Sequence, residues 1–265
     1  IYIELDLEAG YQTLCQNSLP TDISESELAP PIRVFFYQEA GVPQGSIFSV
    51  TLFNLKINSI VKCLVLGVEP FLYVDDFAAC CRSRQMRTVE RQLQLCLNRL
   101  QRWSSEEGFR FSQTKTVCMH FCHKRQPHPD PVLNLFDHPI PVVAENKFLG
   151  VMFDSKLSFI PHLRQLRTKC CKAMNLLKVV SHRDWGSDFK TLIKIYRCTI
   201  RSKLDYGCIV YGSARKSYIQ MLDPIQNQAL RLCLGAFRTS PVESLQIECD
   251  ELPLSLRRDK LALQF

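Results

Sequence analysis

Phe71-Leu72-Tyr73-Val74-Asp75-Asp76-Phe77-Ala78-Ala79-Cys80 sets two acids between two short apolar runs. Such runs, two residues apart, predict a tight hairpin with Asp75 and Asp76 at its tip. Adjacent carboxylates repel, and a mostly apolar hairpin is a costly place for them unless a cation is near. Two readings stand at this point. Asp is a common turn residue, so the pair fits a polar turn. It also fits a site for a hard divalent cation, since Mg²⁺ takes one or two carboxylates, keeps waters and bridges to phosphates.

Upstream lies Gly41-Val42-Pro43-Gln44-Gly45-Ser46. Its glycines permit close backbone approach to a ligand, Pro43 stiffens the turn, and Ser46 suits the N-cap of a helix. That helix carries Val50, Phe53, Ile57, Ile60, Val61 and Leu64 at helical spacing. A strand is predicted at residues 32–37 and another at residues 1–5, with a polar, Pro-rich loop over 15–31.

Downstream, Met86, Val89, Leu93, Cys96, Leu97, Leu100 and Trp103 predict an amphipathic helix over about 85–105 that packs on a sheet and stops at Gly108. A strand follows at Val117 to Phe121. It holds Cys118, His120 and Cys122, with His123 and His128 beyond. Zinc needs four converging ligands, whereas alternate residues of one strand point in parallel, so this run reads as a half-buried edge strand. Phe148-Leu149-Gly150-Val151 predicts a second tight hairpin. Three helices follow, the last ending at Gly235, and the final thirty residues read as loose helix and turn. Composition shifts near Ser158–His162 from mixed α+β to helical and basic.

The net charge of +7 is unevenly spread. Residues 1–46 carry seven acids against one base, and residues 161–217 carry thirteen bases against three acids. The basic block fits either a phosphate-backbone surface or a solvated helix face. Thirteen cysteines in a chain of 265 residues, an odd number with no export leader, fit a reducing, intracellular compartment better than a disulfide scaffold. No run of eighteen apolar residues predicts a membrane span. The chain starts at Ile1 rather than Met, which reads as a piece of a longer frame.

The order of these pieces resembles a known family. The Gly41–Ser46 turn, Tyr73-Val74-Asp75-Asp76, Gly108-Phe109-Arg110-Phe111-Ser112-Gln113-Thr114-Lys115, Phe148-Leu149-Gly150 and Lys203-Leu204-Asp205-Tyr206-Gly207 are similar to the reverse transcriptase of non-LTR (LINE-type, jockey-like) retrotransposons. The resemblance covers roughly residues 41–265. It implies an α+β right-hand polymerase fold: an antiparallel palm sheet with packed helices, then an all-helical thumb, the fingers missing. Residues 1–40 would be a truncated N-terminal palm segment, 41–158 the palm and 159–265 the thumb.

The resemblance also implies the site. Asp75 and Asp76 match metal-binding acids, and Asp6 is the candidate third. Tyr11 matches the aromatic that disfavours a ribose 2′-OH. Gln44, Gly45 and Tyr73 match residues at template and nucleotide. Lys115 matches the base beside the nucleotide's phosphates, and Phe148, Leu149 and Gly150 the primer grip. Gly10 and Gln12 depart from the usual Ala and Asp, and Asp6 to Gly41 is shorter than the usual separation. The implied cofactors are two Mg²⁺ ions, with Mn²⁺ a possible substitute. The implied partners are an RNA template, a DNA primer and dNTPs, in cytoplasm and nucleus. The alternative reading is a catalytically dead remnant that binds nucleic acid.

Overall fold

The computed structural model describes residues 1–8, 47–122, 129–182 and 184–264, with the backbone alone at residues 6–8, 47 and 49. The expected strand at 32–37 and the Gly41–Ser46 turn lie outside the described residues. The chain divides into two compact units, Ile1–Ala144 and Glu145–Phe265. Both helix and antiparallel sheet are present, an α+β composition.

The first unit is organised on β1 (Tyr2–Glu8). Along one side of it runs β3 (Asp76–Cys81), which pairs in turn with β2 (Val68–Tyr73). Along the other side run β4 (Arg110–Phe111) and β5 (Val117–Met119). All of these pairings are antiparallel. Alternation sends Ile3 and Leu5 of β1 and Phe77, Ala79 and Cys81 of β3 into one core. Tyr2, Glu4 and Asp76 belong to the opposite set.

Against the core side packs α2 (Met86–Glu107), which buries Val89, Leu93, Cys96, Leu97, Leu100 and Trp103. Each large apolar side chain so buried contributes about 1.5–3 kcal/mol. The helix ends at Gly108 as expected. Beyond it Phe109 stacks on Trp103, centroids 5.0 Å apart, and the Trp103 indole donates to Ser59 Oγ at 2.8 Å. A small ribbon, β6 (Asn134–Leu135) with β7 (His138–Pro139), is tied to α2 by Gln94. The Gln94 amide accepts from the Asn134 N–H and donates to the Asn134 carbonyl, both at 2.9 Å.

Two expectations need correction here. The helix after residue 46 is α1 (Ile47–Ile57), and it tightens to a 3₁₀ segment at Asn58–Cys63. The period changes from 3.6 to 3.0 residues per turn at Asn58, which takes Val61 out of the expected stripe, while Val50 departs from it already within α1. Ile57 and Ile60 are buried, whereas Val50 and Val61 are exposed. The strand expected to end at Phe121 ends at Met119, and it is no edge. The Cys118 N–H donates to Pro141 O at 3.0 Å, while Cys118 O accepts from Val143 N at 2.9 Å. Cys118 is wholly buried, and burial pushes its thiol up to about 12, which disfavours the thiolate a zinc site needs. His123 and His128 lie outside the described residues.

The second unit opens on a hairpin, β8 (Glu145–Phe148) and β9 (Val151–Asp154). This hairpin belongs with the helices, because Val151 lies in their core with Phe159, Leu163 and Leu166. The division therefore falls before residue 145, ahead of the composition shift at 158–162. Asp154 opens α3 (Ile160–Val180): its carboxylate accepts from the Phe159 N–H at 2.8 Å and the Ser158 N–H at 3.0 Å. The second expected helix is continuous through α4 (Phe189–Tyr196), a π turn at Arg197–Arg201 and α5 (Ser202–Asp205). Two short turns, α6 (Cys208–Tyr211) and α7 (Lys216–Ile219), lead to α8 (Asp223–Leu234), which ends at Gly235 as expected.

The final residues are not loose. Helices α9 (Val242–Glu248) and α10 (Leu254–Gln264), with the turn between them, add Leu245, Cys249 and Leu254 to the core.

Candidate functional site

The β2–β3 hairpin differs from its expected form by one residue. Tyr73 pairs with Asp76, so Val74 and Asp75 form the turn and Asp76 is the first residue of β3. The core set by Phe77, Ala79 and Cys81 fixes this register. Asp75 is exposed at the tip and Asp76 is half-buried beside it. Val74 takes a left-handed conformation, φ 57°. For a β-branched residue that costs on the order of 1–2 kcal/mol, the kind of local strain found where a turn must present side chains in a fixed geometry.

Across the sheet, the backbone of Asp6 is the register partner of Asp76. Two strands separated by seventy residues of sequence thus bring both positions to the same row. Glu4 occupies the same alternating set of β1 and is half-buried. Tyr2, next in that set, has its phenol pushed far above its usual range, first by burial and then by the negative charges of Glu4 and Asp76. Glu4 is a carboxylate that motif reasoning missed. Its only sequence signal is the period of two from Asp6.

The turn that carries Lys115 lies beside this row. β4 pairs with β1 at Leu7 and Glu8, and β5 pairs with β1 from Glu4 back to Tyr2. The turn 112–116 therefore bulges out of one interrupted strand opposite Leu5 and Asp6. Buried Ser112 and Thr116 close it: the Thr116 N–H and hydroxyl both donate to Ser112 O, at 3.1 and 2.6 Å. Lys115 is exposed on this turn. Tyr73 is exposed at the end of β2. Tyr11, Gln44 and Gly45 lie outside the described residues.

In the second unit, Leu149 and Gly150 form the two-residue turn of the β8–β9 hairpin. Both have positive φ, 44° and 83°, as a type I′ hairpin turn requires. The Tyr206 hydroxyl donates to the Leu149 carbonyl at 2.6 Å, and a Cβ at Gly150 would stand 3.0 Å from the Tyr206 ring. Phe148 closes the turn against Val151.

The acids of the first unit offer only oxygen donors, the set that suits a hard cation such as Mg²⁺ rather than zinc or copper. Among the described residues no three His, Cys, Asp or Glu side chains form a metal cluster, and the Asp6 carboxylate is outside that description. With an oxygen-only pair at Asp75 and Asp76, the residues present fit a cation held jointly with a phosphate ligand.

A family model described as Reverse transcriptase (RNA-dependent DNA polymerase) matches residues 1–153, more than half of the chain. The chain belongs to the reverse transcriptase family. Curated relatives place this reverse transcriptase among those of non-LTR elements. It is 28% identical over 231 residues to the Retrovirus-related Pol polyprotein from type-1 retrotransposable element R1 of Nasonia vitripennis, covering 82% of this chain and 66% of the relative. It is 29% identical to the RNA-directed DNA polymerase from mobile element jockey of Drosophila funebris, over 80% of this chain and 23% of the relative. It is 30% identical to the Probable RNA-directed DNA polymerase from transposon X-element of Drosophila melanogaster, over 74% and 22%. The chain thus spans from about two thirds to less than a quarter of the relatives' lengths. Among the described residues, no helix is long and apolar enough to cross a membrane.

Proposed function

We propose that the chain carries the palm and thumb of a retrotransposon reverse transcriptase and extends a DNA primer on an RNA template. The observation that carries this reading is the register of Asp6 against Asp76, beside the strained turn that presents Asp75. In the proposed reaction the primer 3′-oxygen attacks the α-phosphorus of a dNTP. A new P–O bond forms and the bond to pyrophosphate breaks. Asp75, Asp76 and Asp6 would hold two Mg²⁺ ions, or Mn²⁺ in their place. Such ions, when bound, lower the pKa of the attacking hydroxyl and offset charge on the triphosphate.

The chain's own residues do the rest. Lys115 meets the charge that builds on the leaving pyrophosphate and supplies it a proton. Tyr11 excludes a ribose 2′-OH, while Gln44, Gly45 and Tyr73 line the template and nucleotide. Phe148, Leu149 and Gly150 hold the primer end. The basic helices after residue 159 follow the template–primer backbone, so binding weakens steeply with salt.

Primer extension on a homopolymer RNA template with Mg²⁺ tests the reading. Extension that Asp75→Asn abolishes supports it. Salt-sensitive RNA binding without extension, unchanged by Asp75→Asn, identifies instead an inert remnant that binds nucleic acid.

A further inference from the structure

Tyr196, Tyr206 and Tyr211 follow one another along the second unit with different fates. Tyr196 and Tyr211 are buried in its core, whereas Tyr206 is 59% exposed and lies outside that core. A ring left in solvent gains little from burial, so its hydroxyl decides its place. That hydroxyl donates to the Leu149 carbonyl at 2.6 Å, in the turn of the β8–β9 hairpin.

The ring stands on a fixed base. Tyr206 leaves α5 in an extended conformation, φ −64° and ψ 121°, and Gly207 turns at once into the left-handed region, φ 67°. A Cβ at Gly207 would stand 2.9 Å from a Val151 methyl, so the chain here passes hard against the first residue of β9. On the other side, Asp205 accepts from Arg257 Nη2 at 2.8 Å and from Arg257 Nε at 3.2 Å. The turn needs such a hold. Leu149 is not a glycine, yet it stands at φ 44°, a region L side chains disfavour. The strand ladder pairs Phe148 with Val151 and goes no further. The Tyr206 hydroxyl holds the Leu149 carbonyl, and its ring sits where a Cβ at Gly150 would stand 3.0 Å away.

We infer that Tyr206 is a positioning residue for the reaction: its hydroxyl fixes the Leu149–Gly150 turn in the place from which that turn sets the primer 3′-oxygen. The inference rests on the primer-end role proposed for Phe148, Leu149 and Gly150, and it adds the group that orients them. Tyr206 touches no reacting atom. Its loss therefore costs rate rather than affinity, because a bound but misaligned 3′-oxygen attacks slowly.

Single-turnover incorporation of one dNTP on an RNA template separates rate from affinity. Wild type is compared with Tyr206→Phe, which keeps the ring, and with Gly150→Ala, which alters the turn itself. The control is Thr199→Val, which removes a hydroxyl bond within one helical segment, from Thr199 Oγ1 to Ile195 O at 2.7 Å. Tyr206→Phe should lower the rate by roughly tenfold, with primer–template Kd and dNTP KM within about twofold of wild type. Gly150→Ala should lower the rate at least as far, and Thr199→Val should leave it unchanged. A merely structural role would lower the amplitude, the active fraction, at an unchanged rate, and that result overturns the inference. A wild-type rate in Tyr206→Phe beside a slowed Gly150→Ala also overturns it, while keeping the turn in its primer role. Wild-type rates in both remove the primer role as well. Amide exchange at Leu149, Gly150 and Val151, read without substrate, checks the physical step. It should be faster in Tyr206→Phe than in Thr199→Val, and equal protection overturns the inference. If wild type does not extend at all, the polymerase reading fails and the inference fails with it, whereas exchange still tells whether Tyr206 holds the turn.

Discussion

The Tyr206 hydroxyl donates to the Leu149 carbonyl at 2.6 Å across 57 residues of sequence, joining the Lys203–Gly207 stretch to the hairpin turn. Next to it, Gly207 holds φ 67°, where a Cβ would stand 2.9 Å from a Val151 methyl. Both residues of the Tyr206–Gly207 pair therefore act on the same turn. Tyr206→Phe should cost about 1 kcal/mol of unfolding free energy, the worth of one hydrogen bond. Gly150→Ala should cost more, about 1–3 kcal/mol, because it combines a positive φ with contact on the ring. Urea titration measures both. Equal stability of Gly150→Ala and wild type would contradict the packing described.

Glu251 is a buried anion with two arginine partners. Arg197 Nε donates to it at 2.7 Å, and Arg201 pairs with its second oxygen. Arg201 also faces Asp205, which holds Arg257 at 2.8 Å. Removing the buried carboxylate leaves mostly buried Arg201 only the longer contact to Asp205, which Arg257 shares, so Glu251→Ala should destabilise the chain by about 3 kcal/mol. Denaturant unfolding measures this, and a loss under about 1 kcal/mol would show that the pair is worth no more than a surface one.

His162 makes stability depend on pH. Its pKa lies below 6.5 in the folded chain, for burial first and Lys169 second, and returns to that value on unfolding. As pH falls through this window the unfolded chain binds a proton that the folded chain refuses. Stability is therefore full above about pH 6.5 and is lost as pH drops toward the folded pKa. Unfolding free energies between about pH 5 and 7.5 should show this slope, and His162→Phe should flatten it.

Lys115 stands on a turn that Ser112 and Thr116 close. Lys115→Ala should lower the rate of nucleotide incorporation by on the order of a hundredfold. A rate near wild type would remove Lys115 from the proposed chemistry.

Local pattern carried much of the fold. The α2 stripe and its stop at Gly108, the Phe148–Val151 hairpin and the end of α8 at Gly235 were all legible, because each is decided by neighbours in sequence. The Asp75–Asp76 turn was misplaced by one residue. Apolar runs on both sides leave the register open until Phe77, Ala79 and Cys81 meet a core. Glu251 was invisible for a different reason: its partners Arg197 and Arg201 lie 54 and 50 residues away. The same holds for the candidate site. The pairing of Asp6 with Asp76, the half-buried Glu4 and the Lys115 turn beside them are products of sheet order; family resemblance hinted at Asp6 and Lys115, whereas Glu4 had only its period of two from Asp6.

The central claim is that Asp6, Asp75 and Asp76 act as one set. Single-nucleotide incorporation on an RNA template with Mg²⁺ by Asp6→Asn, Asp76→Asn and the double variant tests it most directly. The expected result is an equally deep loss in each single variant and no further loss in the double, as for groups that work as a unit. Incorporation by Asp6→Asn at the wild-type rate would contradict the account.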